Sequence, residues 1–80
     1  MGSNNGYLSE REIEILLLIA EGFKTINISE KLFISRHTVH THKTNMCAKL
    51  TLKSTAELVC FAIANKDRIK KYLNERLIFK

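Results

Sequence analysis

The residues with the most recognisable chemistry lie between Ile34 and Leu50, where hydrogen-bonding side chains recur at helical spacing. At about 100° per residue, one side of this segment is apolar and carries Val39, His42, Met46 and Leu50. The opposite side carries small, uncharged groups: His37, Thr41, Thr44 and Ala48, flanked by His40 and Asn45. An ordinary surface helix would place Glu and Lys there. A narrow apolar stripe behind a polar, readable face suits insertion into the major groove of DNA.

The positive charge of the chain is centred on the same segment. The formal net charge is +5, but residues 1–23 hold four Glu against one Arg. Residues 24–53 hold six basic side chains against a single acidic one, Glu30, and residues 54–80 hold six against three. A basic region around an uncharged reading face is what a polyanion-binding surface requires. For any single Lys, a merely solvated side chain is an equally good interpretation.

Length and composition favour one small helical domain. The chain has 80 residues, no Pro and only three Gly, too few turn-forming residues for a β-sandwich. No apolar run is long enough to span a membrane and nothing resembles a signal peptide, so we expect a cytoplasmic protein. Cys47 and Cys60 form no CxxC pair and are interpreted as small hydrophobic residues in a reducing compartment.

The three histidines do not form a metal site in this pattern. His37 and His40 lie about 60° apart on the helix, but His42 points inward, away from both. We expect His42 to be a buried, hydrogen-bonded packing residue, and His40 to contact the groove or a phosphate, or else to be merely solvated. No cofactor loop or catalytic constellation is present either, so the sequence does not predict an enzyme.

The flanking elements complete a helix-turn-helix. Ser9 and Glu12 have the spacing of a capping box at the start of a first helix, which Gly22 ends as a left-handed residue. A second helix is expected over Lys24–Leu32, with Thr25 as its N-cap. A tight connection then leads to Ser35, the expected N-cap of the third helix.

The C-terminal third contains more apolar surface than one helix face can bury. A fourth helix is expected from about Ser54 to Ala64, with an apolar surplus at Leu58, Val59, Phe61, Ala62 and Ile63. The surplus indicates a homodimer contact, or a surface that residues 65–80 cover by folding back. We expect residues 1–6 to be a disordered tag or linker, 7–64 the DNA-binding domain, and 65–80 a basic, amphipathic extension that is at least partly helical.

Leu8 to about Ile63 resembles the DNA-binding domain of LuxR/FixJ/NarL-type (GerE-like) bacterial transcription regulators. The resemblance is carried by segments Leu8–Leu16, Ala20–Gly22, Ile28–Ser35, Thr38–Met46 and Lys49–Leu52. It implies a compact all-α domain of four helices, in which the third reads the major groove and the fourth forms a homodimer contact. The residue after Thr38-Val39, and those one and four positions beyond it, would face bases: His40, Thr41 and Thr44.

Pattern and resemblance together give one set of candidate site residues. Backbone phosphates are expected to be contacted by Lys24, Thr25, Ser35, His37, Thr38, Lys43 and Lys49. The expected dimer residues are Leu58, Val59, Phe61 and Ala62. The expected partners are double-stranded DNA with paired half-sites, a second copy of the chain, and an upstream receiver or sensor domain. The alternative is a protein-interaction module that keeps the fold but has weakened DNA binding.

Overall fold

A computed structural model describes residues 7–78, which form five helices and no strand. The helices are α1 (Glu10–Ala20), α2 (Thr25–Leu32), α3 (Arg36–Leu50), α4 (Thr55–Ala64) and α5 (Lys66–Ile78). The predicted all-α fold is confirmed, and the extension beyond the fourth helix forms α5. The tag or linker predicted at residues 1–6 lies outside the described residues.

Local side chains fix the starts of three helices, and the sequence predicts two of these caps, at Ser9 and Ser35. The Ser9 hydroxyl accepts the Glu12 amide at 3.1 Å, and the Glu12 carboxylate accepts the Ser9 amide at 2.9 Å. Ser35 caps α3 by accepting the Thr38 amide at 3.0 Å, and Ser54 caps α4 in the same way through Glu57. These bonds satisfy amides that the first turn of a helix leaves without partners. Gly22, with φ 94°, follows the end of α1 as predicted.

The start of α2 differs from the prediction. The N-cap is Lys24, and Thr25 is the first helical residue. The Asn27 side-chain oxygen accepts the Lys24 amide at 3.3 Å. The amide at the N-cap is therefore satisfied by a side chain of the first helical turn. The Thr25 hydroxyl is instead an acceptor for the Lys43 ammonium of α3, at 2.6 Å. This contact between elements replaces the local capping bond expected from Thr25.

The core is built around α1, which contacts α3, α4 and α5, while α2 packs against α3. Its fully buried side chains come from all four helices of the predicted domain: Ile15, Ile28, Val39, Met46, Leu58 and Ala62. Leu58 and Ala62 are therefore not available to a partner, which corrects the dimer surface expected from the sequence. Periodicity counted the apolar residues of α4 but could not tell which of them face α1.

Helix α5 packs against α1 and does not cover the exposed apolar residues of α4. Its Ile69 is buried in the core, and Leu73 packs against the core partly exposed. Val59 and Ile63 of α4 stay 40% and 57% exposed, so the alternative in which the extension covers the α4 surplus does not account for them. Across residues 7–78, no helix has both the length and the apolarity needed to cross a membrane.

Candidate nucleic-acid interface

The outer face of α3 is exposed, as the helical pattern predicts. Val39 and Met46 anchor the helix at zero exposure. The other side is open to solvent and carries His37, His40, Thr41, Thr44, Asn45 and Ala48. None of these six residues is a lysine or an arginine, so the face carries no permanent positive charge. The face can therefore donate and accept hydrogen bonds and offer Thr and Ala methyl groups to a base edge.

The first turn of α3 is a compact group of hydroxyls. The Ser35 and Thr38 hydroxyl oxygens lie 2.9 Å apart, and Ser35 also accepts the Thr38 amide. Arg36 and His37 beside them are exposed. The partial positive charge of a helix N-terminus adds to the Arg36 guanidinium, so this end of α3 favours an anion such as a phosphate.

A second cationic group lies where α2 meets α3. The Lys43 ammonium donates to the Thr25 hydroxyl at 2.6 Å and has no carboxylate partner among the described residues. Partial burial lowers the pKa of Lys43 below its usual value. Lys24, at the N-cap of α2, is exposed. A partly desolvated ammonium next to a helix start can bind a phosphate more strongly than a fully solvated one.

Lys49 is not free to contact a phosphate, which corrects its predicted role. Its ammonium lies 2.9 Å from the Glu12 carboxylate of α1, and the two side chains are only 14% and 4% exposed. A lysine already paired inside the protein adds little to the surface that a polyanion meets. The sequence contained one signal for this contact, because Glu12 precedes Ile15, Leu16 and Ile19 by three, four and seven residues and so shares their buried face.

His42 also faces Glu12. Its Nδ1 atom is buried, lies 4.0 Å from the second carboxylate oxygen, and has no hydrogen-bond partner. His42 lies on the inner side of α3, but its side chain is 26% exposed and not buried as predicted, and the predicted hydrogen bond is not found at Nδ1. Burial alone would raise the pKa of Glu12. The bonds from Lys49 and the Ser9 amide outweigh it, so the pKa of Glu12 is lowered and the carboxylate stays ionised.

Metal-binding side chains do not converge in the described part of the chain, where no three His, Cys, Asp or Glu residues are grouped as ligands. Cys47 and Cys60 are both free thiols. Cys47 donates weakly to the Ser54 carbonyl at 3.5 Å, and burial, followed by the charge of Glu57, raises the pKa of its thiol. A thiol with a raised pKa is a poor nucleophile, in keeping with a packing role.

Comparison with known proteins agrees with this geometry. The sequence model described as "Bacterial regulatory proteins, luxR family" matches residues 6–62. The chain is 54% identical over 59 residues to the oxygen regulatory protein NreC of Staphylococcus epidermidis, and equally to those of Staphylococcus haemolyticus and Staphylococcus carnosus. Each alignment covers 74% of this chain but 27% of the relative. No solved structure gives a significant match. The chain therefore belongs to the luxR family of bacterial regulatory proteins, as a helix-turn-helix DNA-binding domain of a transcription regulator and not an enzyme.

Proposed function

We propose that the domain binds specific double-stranded DNA sequences by placing α3 in the major groove, with His40, Thr41 and Thr44 facing bases. The observation that carries the proposal is the exposed, uncharged outer face of α3, held from behind by the fully buried Val39 and Met46. Thr can offer a methyl group to thymine and a hydroxyl to a donor or acceptor, and His can bond to a purine edge. A helix with that face and rigid support reads sequence directly.

Phosphate contacts would surround this reading face. The proposed residues are Lys24, Thr25, Ser35, His37, Thr38 and Lys43, which lie at the starts of α2 and α3 or on the contact between them. Lys49 is left out because Glu12 holds it. Contacts of this kind set register and supply most of the salt dependence, while base contacts supply the specificity.

The bound form would be a homodimer on paired half-sites, joined through α4. The exposed positions of α4 include Ala56, Val59, Cys60 and Ile63, spaced at three, four and seven residues, so they share one face. Phe61, part of the dimer surface expected from the sequence, packs partly buried against the core. The exposed face is apolar, and pairing it with its copy removes it from water.

The length of the relatives supports a proposal about the upstream domain. The chain spans 27% of the length of the NreC proteins it matches. We infer that the domain works under an upstream receiver or sensor domain that controls access to DNA. Its site of action would be the cytoplasm, where bacterial DNA is found.

Selection of binding sites from random duplexes tests the base contacts. Thr41→Ala and Thr44→Ala should each change the preferred base at one position and weaken binding by roughly 1–3 kcal/mol, measured by fluorescence anisotropy. Lys70→Ala, on the exposed side of α5, is the matched control and should keep the wild-type site. Unchanged sites in both threonine variants would refute the assignment. A wild-type chain that binds no duplex at any salt concentration would favour the alternative of a protein-interaction module.

A further inference from the structure

The outer face of α3, which would lie closest to DNA, lacks the cations that binding to a polyanion usually uses. It carries no lysine or arginine. The two lysines of the same helix are engaged elsewhere, because Lys49 is held by Glu12 at 2.9 Å and Lys43 is partly buried. Cations that meet the phosphates normally supply much of the affinity for a duplex. Of the side chains on this face, only those of His37 and His40 can become cations.

The imidazoles of His37 and His40 are open to solvent and unengaged. The two residues lie one turn apart on α3, and both are exposed. Neither imidazole forms a hydrogen bond or an ion pair with the described part of the chain. The histidine that faces a carboxylate is His42, which lies on the inner side of α3 beside Glu12. Both nitrogens of each outer imidazole are therefore available to a ligand.

The elements that pack against α3 do not supply a counter-charge to these imidazoles. Helix α1 contributes Glu12, whose carboxylate is held by Lys49 and faces His42. Helix α4 contributes Glu57, whose carboxylate accepts the Lys53 amide at 2.9 Å. The remaining charged residues of α2, its N-cap and α3 are four cations and one carboxylate: Lys24, Lys31, Arg36, Lys43 and Glu30. Protonation of either outer imidazole is therefore balanced best by an anion from outside the chain.

We propose that His37 and His40 bind DNA as imidazolium ions, so that the domain takes up protons when it binds its site. His37, in the first turn of α3, meets a phosphate, and His40 meets an acceptor atom of the groove. Histidine is the side chain whose ordinary pKa, about 6.5, lies nearest to neutrality, and a phosphate beside it favours the charged form. This inference rests on the proposed function, because the protons are bound only when α3 lies in the groove.

DNA affinity should consequently rise as the pH falls. The bound state holds more protons than the free state, and lowering the pH favours the state that holds more. The fold does not oppose this trend between about pH 8 and about pH 6, because the Glu12 carboxylate contributes its stability at every pH above 4.5. The domain therefore responds to the acidity of its surroundings through the same side chains that contact DNA.

Anisotropy titrations at two pH values measure the effect on affinity. The full chain should bind its selected duplex at least about tenfold more tightly at about pH 6 than at about pH 8, at constant salt. The salt dependence should be steeper at the lower pH, by about 0.9 for each imidazolium that meets a phosphate. The double variant His37→Gln, His40→Gln should lose nearly all of the pH dependence, because glutamine forms hydrogen bonds but is not protonated. His40→Lys should bind more tightly than the wild type at the higher pH, because its charge is permanent.

Calorimetry counts the protons directly. Binding enthalpies measured near neutral pH in two buffers with different heats of ionisation should differ by an amount that corresponds to about one proton per chain. The double variant should take up almost none. His42→Gln is the matched control and should take up as many protons as the wild type, because its imidazole lies on the inner side of α3. A melting curve shows whether this control is folded, and if it is not, the double variant alone decides.

The outcomes distinguish this inference from the proposed function. A wild-type chain that binds its site equally well at both pH values, with no proton uptake, overturns only the inference. Full pH dependence in the double variant, or its loss in a folded His42→Gln, would assign the protons to another group and overturn the inference as well. A wild-type chain that binds no duplex at either pH refutes the proposed function and this inference together.

Discussion

Glu12 combines two tasks in one carboxylate. One oxygen accepts both the Ser9 amide, closing the capping box of α1, and the Lys49 ammonium, 37 residues away near the end of α3. The other oxygen faces the buried Nδ1 atom of His42. A nearly fully buried carboxylate can remain charged only with such partners. Glu12 therefore joins the first helix to the reading helix.

Removing the charge of Glu12 should destabilise the domain strongly. In Glu12→Gln the Lys49 ammonium stays partly buried without its counter-charge, which costs about 3 kcal/mol in the free energy of unfolding. For a domain of this size, that lowers the melting temperature by more than about 10 °C, measurable by circular dichroism. Glu14→Gln, which removes an exposed carboxylate paired with Arg11, is the control and should change the free energy by less than about 0.5 kcal/mol.

The same pair predicts acid sensitivity with a definite sign. The pKa of Glu12 is lowered in the folded state from its ordinary value of 4.5. Its contribution to stability is therefore present above pH 4.5 and is lost as the pH falls through the lowered folded value. Urea unfolding of the wild type should weaken over that range, and Glu12→Gln should lack this part of the pH dependence. Identical pH profiles for both proteins would contradict the assignment.

Residue-level prediction from sequence succeeded where the signal was local. The Ser9–Glu12 capping box needs only a spacing of three, and the inward turn of His42 needs only helical periodicity. The pairing of Lys49 with Glu12 needs the packing of α1 on α3, which no local pattern contains. Sequence alone therefore predicts a phosphate contact for Lys49, because a lysine near a basic helix is usually exposed.

At the scale of elements, α2 and α3 end in the same backbone conformation. Each ends in a left-handed residue that has a side chain, Phe33 or Thr51, where glycine is the commonest choice. In both, the following amide donates back into the helix, and for Leu52 that bond to the Cys47 carbonyl is 2.8 Å long. The turns are therefore set by hydrogen bonding in spite of the side chains, and each stores strain.

Thr51→Gly should stabilise the domain. A β-branched residue with φ 59° is strained, and glycine relieves that strain while giving back part of the gain as chain entropy in the unfolded state. We expect a net gain of about 1 kcal/mol, measured by thermal and urea unfolding. Thr55→Gly, at the exposed first residue of α4, is the control and should not stabilise. A loss of stability in Thr51→Gly would mean that the Thr51 side chain makes an important contact.

Of the five helices, α5 is the one whose packing partner the sequence determines least. Its amphipathic spacing indicated a helix but not a docking surface, and α4 was the nearest apolar candidate. The structure packs it on α1, where Ile69 completes the core. An α1 that is apolar on nearly all sides can accept a second layer, and this leaves the outer face of α4 open. The packing of α5 thus preserves the surface that dimerisation would need.

For the whole molecule, one domain carries both a reading face on α3 and an apolar face on α4. A two-fold axis through the α4 face would place two reading helices about one DNA turn apart, roughly 34–36 Å. One short helix pair buries less than the roughly 1,000 Å² typical of a stable interface, so we expect the free chain to be monomeric and pairing to occur on DNA. Binding to two half-sites should then be cooperative.

Ile63→Asp should remove that cooperativity without unfolding the domain. Ile63 is 57% exposed, so the new carboxylate stays solvated in the monomer but would be desolvated opposite its copy in a dimer. Anisotropy titrations should show unchanged affinity for a single half-site and at least about tenfold weaker binding to a duplex with two. Asn74→Asp, which adds the same charge on exposed α5, should leave both titrations unchanged. Cooperative binding that survives in Ile63→Asp, or sedimentation of one chain per full site in the wild type, would rule out α4 as the dimer surface.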